Sequence, residues 1–322
     1  MPKPLRKQRL NRVVGRVGLD MLKEARRAWP RIDDPEDPEG LHDFRVALRR
    51  LRSWLKAYRD HPGIEVPKSQ RRRLRDLARA TNDARDGEVM LAWLEAERPA
   101  QDNAERGAID WWCQRLAAQV ETDYAEARRA LAEGFPALER GLGETLARLA
   151  EKGGRGPRFG EATARELATL HDTLNEEIAA IGSPEEREAL HRPRITGKRI
   201  RYLLRPWQQE GEVFAEAEKA MKAFQDAFGV LHDDLVREPA LEAAAAAHAG
   251  EETAARLALA ARGSQVRATA PRHLRGFLGL ARGNRERRLA HYEQALEAAL
   301  PSRRGTALSE TLAAAVAAMR GG

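Results

Sequence analysis

The chain has a single cysteine, Cys113, among 322 residues. That excludes an internal disulfide framework and fits a reducing compartment. Aromatics are scarce at 5%, and no stretch of period-two alternation marks a strand. No apolar run is long enough to cross a bilayer, and even "ALEAAAAAHAG" is short, alanine-based and interrupted by charge. The opening "MPKPLRKQRLNR" has no apolar stretch that would serve as a secretory signal. The expectation is a soluble cytoplasmic protein with no membrane contact. "GGRGPRFG", residues 153–160, has neither the preceding strand nor the closing Gly-Lys-Ser/Thr of a phosphate loop. It reads as a linker between a first half, 1–152, and a second, 161–322.

What the chain does have is charge and helix formers. Charged residues make up 33%, and 56 Lys and Arg stand against 49 Asp and Glu, a net charge of +7. The excess is modest, so its placement is what informs. Alanine, leucine, arginine and glutamate dominate, and Pro and Gly breaks near "WPRIDDPEDPEG", "DHPGIEVPKS", "AIGSPEE" and "LPSRRG" separate helical patterns. The fold class is all-α, with about a dozen helices.

One stretch occurs twice. "LHDFRVALRRLRSW", from Leu41, and "LHRPRITGKRIRYL", from Leu190, each place a histidine ahead of basic residues at +3, +7, +10 and +14. The likeness extends at nearly constant offset. "DPED" from Asp34 pairs with "SPEE" from Ser183, both with helix-start chemistry, and "TNDARDGEV" from Thr81 pairs with "FGVLHDDLV" from Phe228. On a helix turning about 100° per residue, His42, Arg45, Arg49, Arg52 and Lys56 fall within roughly 80°. Phe44, Ala47, Leu48, Leu51, Leu55 and Tyr58 gather opposite. The second copy repeats this with His191, Arg194, Lys198, Arg201 and Arg205 against Ile200, Leu203, Leu204 and Trp207.

Like charges at these spacings repel, and the stripes lack the interspersed acids seen in "EEREAL", so an anionic ligand is expected to compensate. Arginine forks and mobile lysines together suit phosphate oxygens. The two histidines would donate to an anion in their protonated form, as binding groups. Arg72 and Arg75 pair by the same offset with Lys219 and Lys222, each set spaced i, i+3 on one face. Arg12 and Arg16 belong to a weaker stripe near the N-terminus. Trp111 and Trp112 are expected in a core.

At these residues the sequence resembles the CHAD family, the conserved histidine α-helical domain, whose mark is a histidine followed by Arg or Lys at helical spacing in each of two repeats. The resemblance runs through "LHDFRVALRRLR", "LHRPRITGKRIRY", "ARDGEV" and "FGVLHDD". It implies two tandem, pseudo-twofold-related four-helix-bundle-like subdomains around a central basic channel that binds inorganic polyphosphate, and in bacteria an association with polyphosphate granules. The chain departs from the pattern at Pro193, where Phe44 stands in the first copy. "ATNDARD" also lacks the family's Leu-Gly. A helix-interior proline removes a backbone bond, which puts the orientation of His191 in question. Asp86 and Asp233 are expected as helix caps or partners of structural arginines.

The leading reading is non-catalytic binding of polyphosphate, with no cofactor and no metal. RNA or DNA binding is the alternative, but it normally recruits aromatic platforms, and Trp54, Tyr58, Tyr202 and Trp207 fall off the basic arc. A metal-dependent polyphosphate-processing enzyme is the third reading. It needs carboxylates beside the phosphate clamp, and neither "HDTLNEE" from His171, "HDD" from His232 nor "EAEK" at 216–219 completes such a set.

Overall fold

Helix formers separated by proline and glycine become helix almost throughout. The computed structural model describes residues 3–34, 37, 39–151, 156–267, 269–300 and 308–321. It runs α1 (Leu10–Ala28), α2 (Gly40–Ala57), α3 (Lys68–Ala80), α4 (Asn82–Glu97), α5 (Asn103–Glu151), α6 (Phe159–Ala179), α7 (Arg187–Leu204), α8 (Glu212–Ala261), α9 (Leu274–Ala299) and α10 (Leu308–Arg320). Among the described residues the β pairing is one isolated antiparallel bridge, Arg9 to Arg158. There the Leu10 N–H donates to Pro157 O at 3.1 Å and the Phe159 N–H to Gln8 O at 2.9 Å, tying the start of α1 to the start of α6.

Several boundaries differ from the sequence expectation. Residues 153–155 of the expected linker lie outside the described residues, while Phe159 and Gly160 open α6. Phe159 is fully buried and stacks on Trp207 at 5.1 Å, so an apolar anchor, not a flexible end, begins the helix. The helix starts read at "DPED" and "SPEE" fall later, at Gly40 and Arg187. Asp37 pairs with Arg31 at 2.7 Å and also accepts from the Glu39 N–H at 3.1 Å, just ahead of α2. The break expected at "LPSRRG" falls largely outside the described residues, which resume at Leu308.

The apolar faces of the two striped helices meet in one core. Phe44, Leu48, Leu51 and Trp54 of α2 and Ile200, Leu203 and Leu204 of α7 are all at most 1% exposed. Each such side chain contributes about 1.5–3 kcal/mol by leaving water. Polar tips buried with them are satisfied: the Trp54 Nε1–H donates to Val14 O at 3.0 Å, and the Tyr58 and Thr163 hydroxyls share a 2.8 Å bond. Gly15 lets α1 lie against α5, since a Cβ there would meet Ala150 N and Leu146 O at 2.5 Å. A separate cluster joins α4, α5, α8 and α9 through Trp93, Leu94, Ile109, Trp112, Leu241 and Phe277. Trp112 is buried in it and Trp111 packs against it, edge-on to His248, as expected of core aromatics.

Candidate functional site

With their apolar faces fixed in the core, α2 and α7 turn their basic faces toward each other. The Arg49 Nε–H donates to Tyr202 Oη at 2.9 Å across the gap. Beside this contact opens a cavity of about 1030 Å³, walled chiefly by α2, α3 and α7. Ten arginines and three lysines line it, with His191, and no aspartate or glutamate does so among the described residues. The sequence-predicted Arg45, Arg49, Arg52, Lys56, Arg72, Arg75, His191, Arg194 and Lys198 are all on its wall. Lys68, Arg71, Arg79, Arg59 and Arg199 join them unforeseen. The first four of these extend the spacing of Arg72 and Arg75 along α3 or continue the α2 stripe, a signal the repeat alignment passed over.

A second, smaller cavity of about 530 Å³ shares Arg49, Lys198 and Tyr202 with the first. His42, Arg201 and Arg205 line this one. It differs in carrying acids: Glu24 and Asp43 are on its wall. Glu24 bonds Arg50 at 3.5 Å and Arg205 at 3.3 Å, Asp43 bonds Arg31 at 2.7 Å, and Glu218 bonds Arg201 at 2.9 Å. The stripe of α7 is therefore not acid-free in three dimensions, because its last two cations are met by carboxylates from α8 and α1.

Four predicted residues are not brought to either cavity. Lys219 and Lys222 are exposed on α8, and Lys222 pairs with Asp226 at 2.7 Å. Arg12 and Arg16 are exposed on α1. The offset that aligned Lys219 and Lys222 with Arg72 and Arg75 carried residue type but not surroundings. Tyr202, placed off the basic arc by the helical wheel, stands in both cavities.

The family model of the CHAD domain matches residues 18–242. The chain belongs to the CHAD family. Two solved structures share the fold: the CHAD domain from the plant Ricinus communis, at 20% identity, TM-score 0.59, 99% of this chain and 94% of that one, and PptA from Streptomyces chartreusis, at 14% identity, TM-score 0.58, 90% of this chain and 99% of that one. Comparison with curated proteins finds no match. The CHAD match takes in both striped helices and stops within α8.

Electrostatics in this CHAD fold follow from crowding cations where water is scarce. Burial, reinforced by Arg194 and Arg49, pulls the Lys198 ammonium down to about 7. Burial and the Arg85 charge lower His42, and burial with Arg194 and Lys198 lowers His191. These shifts favour neutral imidazoles, where the sequence reading had the protonated form; an incoming anion would reverse that sign. His191 Nδ1 lies 3.2 Å from His232 Nδ1, whose pKa burial pushes to about 3, so one neutral ring donates to the other. The buried Nε atoms of Arg71 and Arg194 have no hydrogen-bond partner among the described residues. Arg50, Arg205, Arg287 and Arg288 each leave a buried guanidinium nitrogen in the same state outside this cavity.

Pro193 does not displace His191. α7 continues through it, Pro193 itself is buried, and His191 remains on the cavity wall. Asp86 and Asp233 lie inside α4 and α8 and are not caps. Burial raises both carboxyls, while Arg45 beside Asp86 and Arg237 and Arg194 beside Asp233 oppose it. Arg45 is further held by Thr81 Oγ1 at 2.9 Å and Asn82 Oδ1 at 3.0 Å. Among the described residues no group of three or more His, Cys, Asp or Glu side chains is placed to hold a metal. No helix there is long and apolar enough to cross a membrane. His171, one of the conceivable ligands, bonds Ser309 at 2.7 Å.

Proposed function

We propose that this CHAD-family protein binds inorganic polyphosphate without transforming it, in the cavity between α2, α3 and α7. The observation that carries this is the lining: thirteen lysines and arginines and no carboxylate among the described residues. Polyphosphate is a flexible row of anions with no bases, and a wall of cations with unpartnered guanidinium donors is its complement. Chemistry on the polymer would call for carboxylates placed to hold divalent ions against it, and the acids nearest the stripes are engaged with arginines instead. The reading extends to a cytoplasmic protein that decorates granules of the polymer.

A nucleic acid is the second reading, and Tyr202 is what favours it, as the one aromatic side chain on the larger cavity's described wall. Single-stranded binding relies on successive stacking platforms, so one ring is a poor match. Calorimetric titration with polyphosphate, followed by competition with an oligoribonucleotide of matched charge, tests the choice. Displacement of the oligonucleotide by polyphosphate, with weak exchange in reverse, is the expected result; the opposite preference overturns the proposal. Released phosphate on incubation with polyphosphate and Mg²⁺ or Mn²⁺ would overturn the non-catalytic part.

A further inference from the structure

Near the crossing of α2 and α7, where Arg49, Lys198 and Tyr202 belong to both cavities, His191 lines the larger cavity while His232 lines neither. The two rings lie 4.7 Å apart, 28° from parallel, and meet through their Nδ1 atoms at 3.2 Å. Burial, Arg194 and Lys198 keep both neutral, opposed at His191 by Glu188. A neutral imidazole has one N–H and one bare nitrogen, and the bond made by one nitrogen sets the state of the other. Whichever ring donates across the contact therefore leaves its own Nε2 bare and its neighbour's protonated. His191 Nε2 has no partner among the described residues and is not sealed from solvent, so it is the nitrogen left for a ligand.

We propose that His232 is a positioning residue for the anion: its Nδ1–H donates to His191 Nδ1, which fixes the His191 proton on Nε2, directed at a phosphate oxygen in the cavity. This rests on the polyphosphate reading and adds how a neutral histidine serves it. In the empty cavity the facing cations favour a bare Nε2 on His191, which then donates to His232. An anion favours an N–H there, and the pair reverses. No net proton is taken up: one crosses from Nδ1 to Nδ1, His232 Nε2 gives one to water and His191 Nε2 gains one. A donor is gained without an imidazolium beside Arg194 and Lys198. The first half of the chain is built differently. The repeat offset puts Arg85 where His232 stands, and Arg85 donates to Glu88 at 2.9 Å while its charge lowers His42. A guanidinium cannot accept, so the reversible pairing is confined to His191.

Nitrogen-15 NMR of the full-length protein at pH 7.5, with and without polyphosphate, reads the tautomers. The complex is expected to hold His191 as the Nε2–H form and His232 as the Nδ1–H form; His191 as Nδ1–H or as imidazolium there overturns the proposal. Binding tests the role. His232→Phe keeps a ring against His191 without a nitrogen, and should weaken polyphosphate binding at pH 7.5 about tenfold, in the range of one hydrogen bond to a charged group. The deficit relative to wild type should shrink toward pH 5.5, where His191 beside the anion carries both N–H groups. Glu188, Arg194 and Lys198 of α7, Asp233 of α8 and Arg49 of α2, the other charged groups bearing on the pair, are common to both proteins and cancel in that ratio. His232→Asn, whose amide can donate to the same atom, should restore most of the affinity. Wild-type affinity in His232→Phe, or a deficit that neither acid nor asparagine relieves, overturns the proposal, as does a further loss when His232→Phe is added to His191→Phe. No binding of polyphosphate by the wild type overturns the underlying reading instead. If His232→Phe fails to fold, the wild-type tautomers decide alone.

Discussion

α3 and the first part of α8 carry the same stretch of the duplicated sequence, but they have come to do different things. α3 presents Lys68, Arg71, Arg72, Arg75 and Arg79 to the larger cavity. The matching part of α8 keeps Lys219 and Lys222 on the solvent side, and its Glu218 turns inward to hold Arg201. The backbone differs too, since α3 ends at Ala80 and α4 starts at Asn82, while α8 runs unbroken from Glu212 to Ala261. Duplicating a helical stripe duplicates its spacing; where its cations end up depends on the neighbours each copy packs against.

The most direct way to break that comparison is to reverse charge at the crossing and on α8 in parallel. Arg49→Glu with Lys198→Glu is expected to weaken polyphosphate binding by about 100-fold or more, equivalent to about 2.7 kcal/mol. Lys219→Glu with Lys222→Glu should change it by less than about twofold, as expected of exposed charges away from the cavity. Equal losses in a calorimetric titration would mean nonspecific attraction and no built site.

The two striped helices can also be compared through stability. Where α2 buries Leu48, the repeat offset puts Gly197 in α7, and a Cβ there would meet Gln225 Nε2 at 2.5 Å and Phe224 Cε1 at 2.8 Å. Gln225 is not free to yield, because its Nε2 donates to Arg194 O at 3.1 Å. Gly197→Ala should therefore cost about 1–3 kcal/mol as overpacking, seen as a Tm lower by several degrees. An unchanged Tm would mean that α7 and α8 slide apart at no cost.

Next in size is the contribution of α3 itself. Neutralising Arg71 and Arg79 with glutamine is expected to weaken binding about tenfold, or about 1.4 kcal/mol, and to flatten its salt dependence, since fewer counterions are exchanged. The guanidinium of Arg71 has an unpartnered buried Nε, so a larger loss there than for Arg72→Gln would sharpen the case that these donors await phosphate oxygens. No difference between the two would leave α3 as a diffuse electrostatic wall.

Much of this arrangement was legible in the sequence, and the exceptions have physical reasons. Periodicity identified α2 and α7 and both of their faces, because amphipathic spacing is local and repeats. It missed Lys68 and Arg79, though they sit at helical spacing from Arg72 and Arg75, because the alignment with α8 was allowed to choose the residues. The Glu24–Arg205 and Glu218–Arg201 contacts were not legible at all: the first spans 181 positions, and no local pattern reports which distant acid a cation will meet. Tyr202 was misplaced for a related reason, since a helical wheel assigns faces but not the partner helix that makes a flank into a wall. Pro193 looked disruptive by local rules, but α7 runs straight through it with that residue packed in the core.

The smallest expected effect separates Arg49 from its repeat counterpart Lys198, and it is one of pH. Arginine stays charged, whereas burial and the facing charges of Arg194 and Arg49, only partly offset by Asp233 of α8, bring Lys198 from 10.5 to about 7. The histidines nearby, His42, His191 and His232, are all lowered and stay neutral above pH 7. The folded-state pKa lies below the unfolded one, so between 7 and 10.5 the unfolded chain binds more protons, and Lys198 makes the empty protein more stable as pH rises. Ligand binding runs the other way, because the bound anion needs the ammonium and must draw a proton from solvent above pH 7. Phosphate groups gain little further charge over that range, so affinity should fall several-fold from pH 7 to 8.5, with proton uptake visible in buffers of different ionisation enthalpy. Lys198→Arg should remove both trends, giving a flat affinity profile and no proton uptake. A wild-type profile as flat as that variant's would mean that Lys198 stays charged in the empty cavity and that the crossing is wetter than its burial implies.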